Sequence, residues 1–416
     1  MKIFLGVSSF QILTMFRRGL FYSFLTIYLR HFLGLSVTTT TLFATLPMVL
    51  NVVFQRYVWG TLSDKYQKRR TLIIWGEILG GIGTIALWYC HLIPDEKANA
   101  GWVVIIGLSV IEIFWSMSNI GWSALISDIY KQEVRGRIMG KLESLGGVGR
   151  IAGILIGGLL YDGMDYRFPG WGFWEGSLFF VSAAVMFLSV FPMFLVPEGG
   201  MNHPSADGEI FSDHAHYSPI IFFVFILAMA FIHFGRNSIA VTLAQYLTLE
   251  TGFNLSSITL SHVVNIKSVG IILTGIVTGK LTEKFGPRNL LVGGTIFATC
   301  SLLILGISHS LIYVCISSFI MGFSEILILA TSYELASSYI PASKRGKLFS
   351  IFNATYFLSF GAAGTLIAGP ITDFLISRGK TQVFAYMVSF NTAAILTSVG
   401  IIILFILFRL EKKSRL

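Results

Sequence analysis

The sequence predicts an all-α membrane protein of twelve transmembrane helices in two pseudo-symmetric six-helix bundles. Three observations carry that expectation. The 416 residues are 54% apolar and 12% charged, with a mean hydropathy of +0.74. Soluble domains carry roughly 25% charged residues, so lipid must be the solvent for most of this chain. Twelve apolar runs approach the roughly 20 residues that cross a hydrocarbon core. Finally, the second half of the chain repeats the first at marked positions. Disorder, a secreted disulfide scaffold and nucleic-acid binding are thereby excluded, and the net charge of +9 is read as an orientation signal.

The runs fall at 4–33, 38–61, 71–93, 101–126, 138–160, 174–195, 218–248, 256–279, 289–308, 310–333, 348–375 and 382–408. The first follows Met1-Lys2 with no small-residue cleavage site, as expected of a membrane helix with an inside N-terminus. The second stops at Lys65, Lys68, Arg69 and Arg70, and the third rises to an outer loop holding Lys97. The fourth returns to Lys131, Arg135, Arg137 and Lys141. Between the fifth and sixth lie Arg167 and the cluster from Phe168 to Trp174, read as an aromatic belt at the outer surface. The second half repeats this alternation, with Lys280, Lys284 and Arg288, then Lys344, Arg345 and Lys347, then the tail residues Arg409, Lys412, Lys413 and Arg415 on the inside. Of 30 lysines and arginines, 19 lie inside, five outside and six within spans. That bias places both termini in the cytoplasm and the chain in the plasma (inner) membrane as a multi-pass protein.

The domain expectation is a bundle over 1–196, a cytoplasmic linker over 197–217 and a second bundle over 218–416. The linker carries Glu198, Asp207, Glu209 and Asp213 and no Lys or Arg, but acidic residues count little in orientation. Its Asp213-His214-Ala215-His216 lacks a strong ligand cluster and reads as loop. Cys90, Cys300 and Cys315 fall in apolar runs with no metal-ligand spacing and read as small buried hydrophobes. No cofactor, metal or nucleic acid is expected. The expected partners are a small-molecule substrate, protons and membrane lipids, and the chain is expected to be a monomer.

The repeat is specific. Gly60-Thr-Leu-Ser-Asp64-Lys65 corresponds to Gly279-Lys-Leu-Thr-Glu283-Lys284, and Phe16-Arg17-Arg18 with Tyr28-Leu29 to Phe234-Gly-Arg236 with Tyr246-Leu247. Arg135-Gly136 likewise matches Arg345-Gly346. A duplicated unit buries one binding site near the midplane where its halves meet. Gly60-x-x-x-Asp64-Lys65-x-x-Lys68-Arg69 resembles the loop 2–3 signature of the major facilitator superfamily, with Gln67 standing where the family usually has glycine. Gly140, Gly149, Gly153, Gly157 and Gly158 are similar to the span 5 signature of its drug/proton antiporters, with Ile154 in place of proline. The resemblance implies secondary transport by alternating access, with Gly60, Asp64 and Glu283 in gating and Gly149, Gly153 and Gly157 on a sliding helix face. For the glycines, ordinary close packing is the alternative. Anchoring to anionic lipid is the alternative for the basic cluster.

Ionisable residues inside spans are Arg17, Arg18, Arg56, Glu77, Glu112, Arg150, Arg236, Lys267 and Glu325. Each costs about 2.5–3.5 kcal/mol at mid-membrane and needs a partner or a watery cavity. Arg56 can snorkel to the surface and Arg150 can pair between helices. Arg18 and Arg236 occupy matching mid-depth positions in spans 1 and 7, which line the cavity in this superfamily. The resemblance implies that they bind an anionic group, with Lys267, and with Tyr22 and Tyr28 on an aromatic face. Arg17 points elsewhere, and Glu77 lies in a more peripheral span. Glu112 and Glu325, mid-span in helices 4 and 10, are the proton-coupling candidates. The alternative for all these charges is that they pair with one another and tie helices together. The implied function is proton-coupled export of a small amphipathic or anionic molecule, with an organic-anion importer or exchanger, or a lipid flippase, as alternatives. A non-transporting membrane receptor shares the composition, and no nucleophile or metal constellation suggests an enzyme.

Overall fold

The computed structural model describes residues 2–130, 132–164, 166–199, 218–340 and 345–414, without the side chains at 64, 127, 132–137, 140, 345–347, 349, 350 and 414. All regular structure among the described residues is helical. There, twelve long helices account for the twelve runs. In order they are α1 (Lys2–Ile27, prolonged by the π-helical turn Tyr28–Phe32), α2 (Val37–Phe54, prolonged through Gln55–Trp59 and Gly60–Tyr66), α3 (Arg69–His91), α4 (Lys97–Ile129), α5 (Gln132–Tyr161) and α6 (Ser177–Met193). The second six are α7 (Pro219–Asn237), α8 (Ser257–Phe285), α9 (Pro287–Ile307), α10 (Leu311–Tyr339), α11 (Arg345–Ala363, prolonged through Gly364–Ala368 and Gly369–Ser377) and α12 (Gln382–Ser414).

Ten of these are long and apolar enough to cross a membrane. The other two are α1, which carries Gln11, Arg17 and Arg18, and α6, whose 17 residues make it short. One expected span is interrupted. After Asn237 the helix gives way to a turn and the short helix Thr242–Leu247. Polar side chains hold the break, since Ser238 Oγ donates to the Gly235 carbonyl and Asn237 Nδ2 to Ser359 Oγ at 2.8 Å each.

By packing, the chain divides into two compact units, one of Met1–Ser36, Leu42–Asp207 and Ser256–Ser261, the other of Val37–Thr41, Gly208–Leu255 and His262–Leu416. In the first unit, α1 and α5 lie backbone to backbone. A Cβ at Gly149, Gly153 or Gly157 would strike the carbonyl oxygens of Ile12, Phe16 and Leu20 in turn, and one at Gly19 would strike that of Arg150. Four-residue spacing on both helices thus makes a seam that only glycine fits. The aromatic cluster expected at the outer surface lies partly inside this unit. Phe173 is fully buried, its ring 4.9 Å from Tyr28 and 5.0 Å from Phe21. The cysteines also differ from expectation, with Cys90 and Cys300 exposed on apolar helices and Cys315 half-buried.

The start of the linker is tied to the first unit. Glu198 accepts from the Thr71 backbone N–H at 2.9 Å and from its hydroxyl at 3.1 Å, and pairs with Arg70 at 3.2 Å. A carboxylate at the first turn of α3 satisfies backbone donors that the helix cannot. This gives one acidic residue of the linker a structural place among the basic residues of the loop 2–3 signature. The Asp213–His216 segment lies outside the described residues.

Candidate functional site

Buried charge gathers separately in each unit. In the first, Arg17 on α1 meets Glu77 on α3, Nη1 to Oε2, at 3.5 Å, with both side chains buried. Glu77 also accepts from Ser118 Oγ on α4 at 2.9 Å. The Arg17 guanidinium stands 4.5 Å from the centre of the Trp115 ring, a cation–π contact. Gly76 makes this possible, because a Cβ there would come within 2.8 Å of the Ser118 backbone nitrogen and push α4 away from α3.

Arg18, expected at the site, is exposed, and Arg17 is the buried member of the pair. The offset between Gly60 and Gly279 is 219, and the same offset leads from Arg17, not Arg18, to Arg236. Arg18 instead belongs to a more open group. It acts electrostatically on Glu112 and on Glu143. Glu112 accepts a hydrogen bond from Asn51 Nδ2 on α2, and Glu143 accepts from Gln11 Nε2 at 3.3 Å. Tyr22 is half-buried against Phe43 and Trp115. Tyr28 has no exposed surface; its hydroxyl meets His91 Nε2 at 3.2 Å and its ring stacks on Phe32 and Phe173. It is part of the packed interior of the first unit.

In the second unit, Glu325 on α10 faces two cations. Lys267 Nζ on α8 lies 2.9 Å from Oε2, and Arg236 Nη1 on α7 lies 3.8 Å from the same oxygen. Arg236 is 3% exposed, yet none of its three guanidinium nitrogens has a hydrogen-bond partner among the described residues. His233, one turn earlier on α7, is buried with its ring 5.3 Å from that of Tyr356. Glycines again set the geometry. A Cβ at Gly322, one turn before Glu325, would strike the Lys267 carbonyl, and one at Gly235 would meet Thr397 Oγ1 on α12 at 2.5 Å. Arg236, Lys267 and Glu325 are therefore brought together as the sequence suggested. Sequence reasoning missed Glu143, Trp115 and His233 as members of these groups and set Glu77 aside as peripheral.

The gating candidates are placed unequally. Gly60 follows a π-helical turn, and a Cβ on it would come within 2.7 Å of the Gln55 carbonyl that its own N–H bonds. The Asp64 side chain lies outside the described residues. Nearby, Arg69 reaches Ser63 and lies 3.4 Å from Asp128 on α4. Gln67, in place of the family's glycine, takes the left-handed helical conformation with φ 56° and ψ 19°, whereas Gly286 in the second copy has φ 76° and ψ 153°. The two turns therefore differ in shape, and Gln67 bears some conformational cost as a residue with a Cβ. Glu283 is exposed at the end of α8, and Gly279 has nothing within 4 Å of a built Cβ.

Comparisons with known proteins bear on both units. The family profile of the Major Facilitator Superfamily matches residues 7–232 and 225–416. The chain is 23% identical over 340 residues to the multidrug resistance protein MdtG of Yersinia enterocolitica, covering 80% of this chain and 77% of that protein. It is also 23% identical over 369 residues to the multi-drug resistance efflux pump PmrA homolog of Lactococcus lactis, covering 86% and 82%. Among solved structures, a bacterial homologue of the lysosomal transporter Spinster superposes with a TM-score of 0.74 at 14% identity over 98% of this chain and 96% of that one. A mutant form of the nucleoside transporter NupG gives a TM-score of 0.76 at 12% identity, covering 97% and 99%. At such identities the structural likeness speaks to the fold.

Proposed function

The chain belongs to the major facilitator superfamily of membrane transporters, and we propose that it is a proton-coupled exporter of small amphipathic molecules bearing an anionic group. The observation that carries this reading is the Arg236–Lys267–Glu325 cluster, where two cations share one carboxylate. Burying a guanidinium with all its donors unpaired costs several kcal/mol. An anionic substrate group reaching Arg236 supplies the missing acceptors as fork-on-carboxylate or fork-on-phosphate bonds. The multidrug names of the two relatives support export. Both termini lie in the cytoplasm in this reading, the two six-helix domains are 1–196 and 218–416 joined by 197–217, and the transporter works as a monomer.

Glu112 is the proton carrier for exchange. It is partly exposed, hydrogen-bonded by Asn51 and flanked by Arg18, so taking up a proton releases Arg18 to other partners. The cluster around Glu325 favours a second reading on one point. A proton on Glu325 weakens its hold on Lys267 and Arg236 and strengthens anion binding, so proton and anion would travel together. That is the behaviour of an importer of organic anions.

Transport in proteoliposomes with and without a pH gradient separates the two, using the wild type, Glu112→Gln, Glu325→Gln and Arg236→Ala. Export predicts that Glu112→Gln abolishes gradient-driven transport while substrate exchange persists. Import predicts that Glu325→Gln has that effect. Arg236→Ala should abolish transport of anionic substrates in either case. Transport indifferent to the gradient and to all three changes would sink both.

A further inference from the structure

We propose that the first unit holds one buried water molecule at the junction of α1, α3, α4 and α6, bridging Arg17, Trp115 and Ser182. A cavity of about 10 Å³ is lined there by Arg17, Phe21, Tyr22, Thr84, Trp115 and Ser182. Five of these residues are at least nine-tenths buried, and among them are Arg17 at 4%, Trp115 at 7% and Ser182 at 2% exposure. All three carry polar atoms with no hydrogen-bond partner among the described residues, namely Arg17 Nε and Nη1, Trp115 Nε1 and Ser182 Oγ. Orphaned donors of this kind are rare inside proteins, and several around one cavity point to one shared ligand.

Size and charge decide which ligand. A cavity needs about 10–15 Å³ of this measure to take a water molecule, so the space suits one water and is tight for a halide. The Arg17 charge is already answered by Glu77 at 3.5 Å. An anion would bring a second negative charge to the one guanidinium and stand uncompensated within the bundle. A neutral ligand that both accepts and donates fits better. Water accepts from Arg17 and from the Trp115 indole N–H, and donates to Ser182 Oγ and to Thr84 Oγ1, whose own proton goes to the Gly80 carbonyl at 2.8 Å. Gly80 keeps the indole in place, because a Cβ there would lie 2.5 Å from Trp115 Nε1. The water supplies hydrogen bonds that the Arg17–Glu77 pair lacks, and it ties α6, which contributes no charge to the pair, to the same junction.

Radiolytic hydroxyl-radical footprinting of the whole protein in detergent, read by mass spectrometry at Trp115, tests this. Bound water generates radicals in place, so Trp115 should be oxidised despite its burial, equally with chloride or bromide in the buffer. Ser182→Ala leaves room for the water and should keep the oxidation. Ser182→Val fills the cavity and should lose it, with thermal unfolding confirming that the variant is folded. A wild-type Trp115 that stays unmodified overturns the proposal, as does an unchanged yield in Ser182→Val. A high-resolution map showing an anomalous bromide peak at the site would overturn it in favour of an anion.

Discussion

Arg17 and Arg236 lie on the first helices of the two halves and are buried alike, at 4% and 3% exposure, yet they are answered differently. Arg17 has a carboxylate of its own, Glu77, which Ser118 also holds, and an indole face at 4.5 Å. Arg236 shares Glu325 with Lys267, which sits closer to it, at 2.9 Å against 3.8 Å. In one site one cation meets one carboxylate, and in the other two cations share one carboxylate. The acid that answers each arginine sits on α3 in one half and on α10 in the other.

The sharpest way to break this comparison is to remove each arginine in turn. Arg17→Ala strands Glu77 as an unpaired buried carboxylate and should cost about 3–5 kcal/mol. Arg236→Ala leaves Glu325 paired with Lys267 and removes a guanidinium whose three nitrogens lack hydrogen bonds among the described residues, so its cost should be about 1 kcal/mol or less, while transport of anions is lost. Thermal unfolding in detergent, with transport measured in parallel, gives both numbers. Equal destabilisation would mean that the two sites are structurally alike. A double change, Arg17→Met with Glu77→Leu, should recover most of the loss, because replacing a buried pair with apolar groups is neutral or stabilising by about 1–4 kcal/mol. No such rescue is expected of transport when Arg236 and Glu325 are replaced together.

The two copies of the glycine motifs sharpen the same contrast at smaller scale. Gly153→Ala drives a methyl group into the Phe16 carbonyl and should cost about 1–3 kcal/mol by overpacking. Gly60→Ala meets the Gln55 carbonyl at 2.7 Å and should disturb the π-helical turn. Gly279→Ala, in the second copy, enters open space and should be neutral or stabilising by up to about 1 kcal/mol through helix propensity. Comparing the three unfolding midpoints distinguishes steric need from mere recurrence of a motif.

Much of this is legible in the sequence, for identifiable reasons. Apolar runs and the sidedness of lysine and arginine encode helices directly, since lipid permits little else. Arg236, Lys267 and Glu325 can be read because charges in such runs stand out against their neighbours. The choice between Arg17 and Arg18 cannot be made from composition, since adjacent residues on a helix differ by about 100° in facing and both are equally conspicuous. The repeat does not separate them either, because the glycine motifs are offset by 219, which leads from Arg17 to Arg236, whereas Phe16 to Phe234 and Tyr28 to Tyr246 are offset by 218, which leads from Arg18. Glu77 reads as peripheral because the place of a helix within a bundle is not written in its own residues, whereas Gly76 brings α3 close against α4. The break at Asn237 is hidden for another reason: polar residues that stop a helix by bonding to Ser359, more than a hundred residues away, leave no local signature.

The smallest effect expected concerns Asp162, which follows α5 at the edge of the first unit. It accepts a hydrogen bond from Ser257 Oγ at 2.6 Å, and Ser257 also donates to the Gly158 carbonyl at 2.7 Å. Burial raises the Asp162 carboxyl above the ordinary range, more than the hydrogen bonds from Ser257 lower it. With the folded-state value raised, the protonated form is the better accommodated one. Its contribution is therefore complete below the ordinary carboxylate range and is lost as pH rises through the raised value. Asp162→Asn mimics the neutral form. The variant should match the wild type in acid and unfold at an equal or slightly higher temperature at neutral pH, the two curves separating as pH rises above the ordinary carboxylate range. Unfolding curves that instead separate in acid, with the wild type the more stable at neutral pH, would show that the ionised carboxylate holds this contact and that the pull of Ser257 outweighs burial.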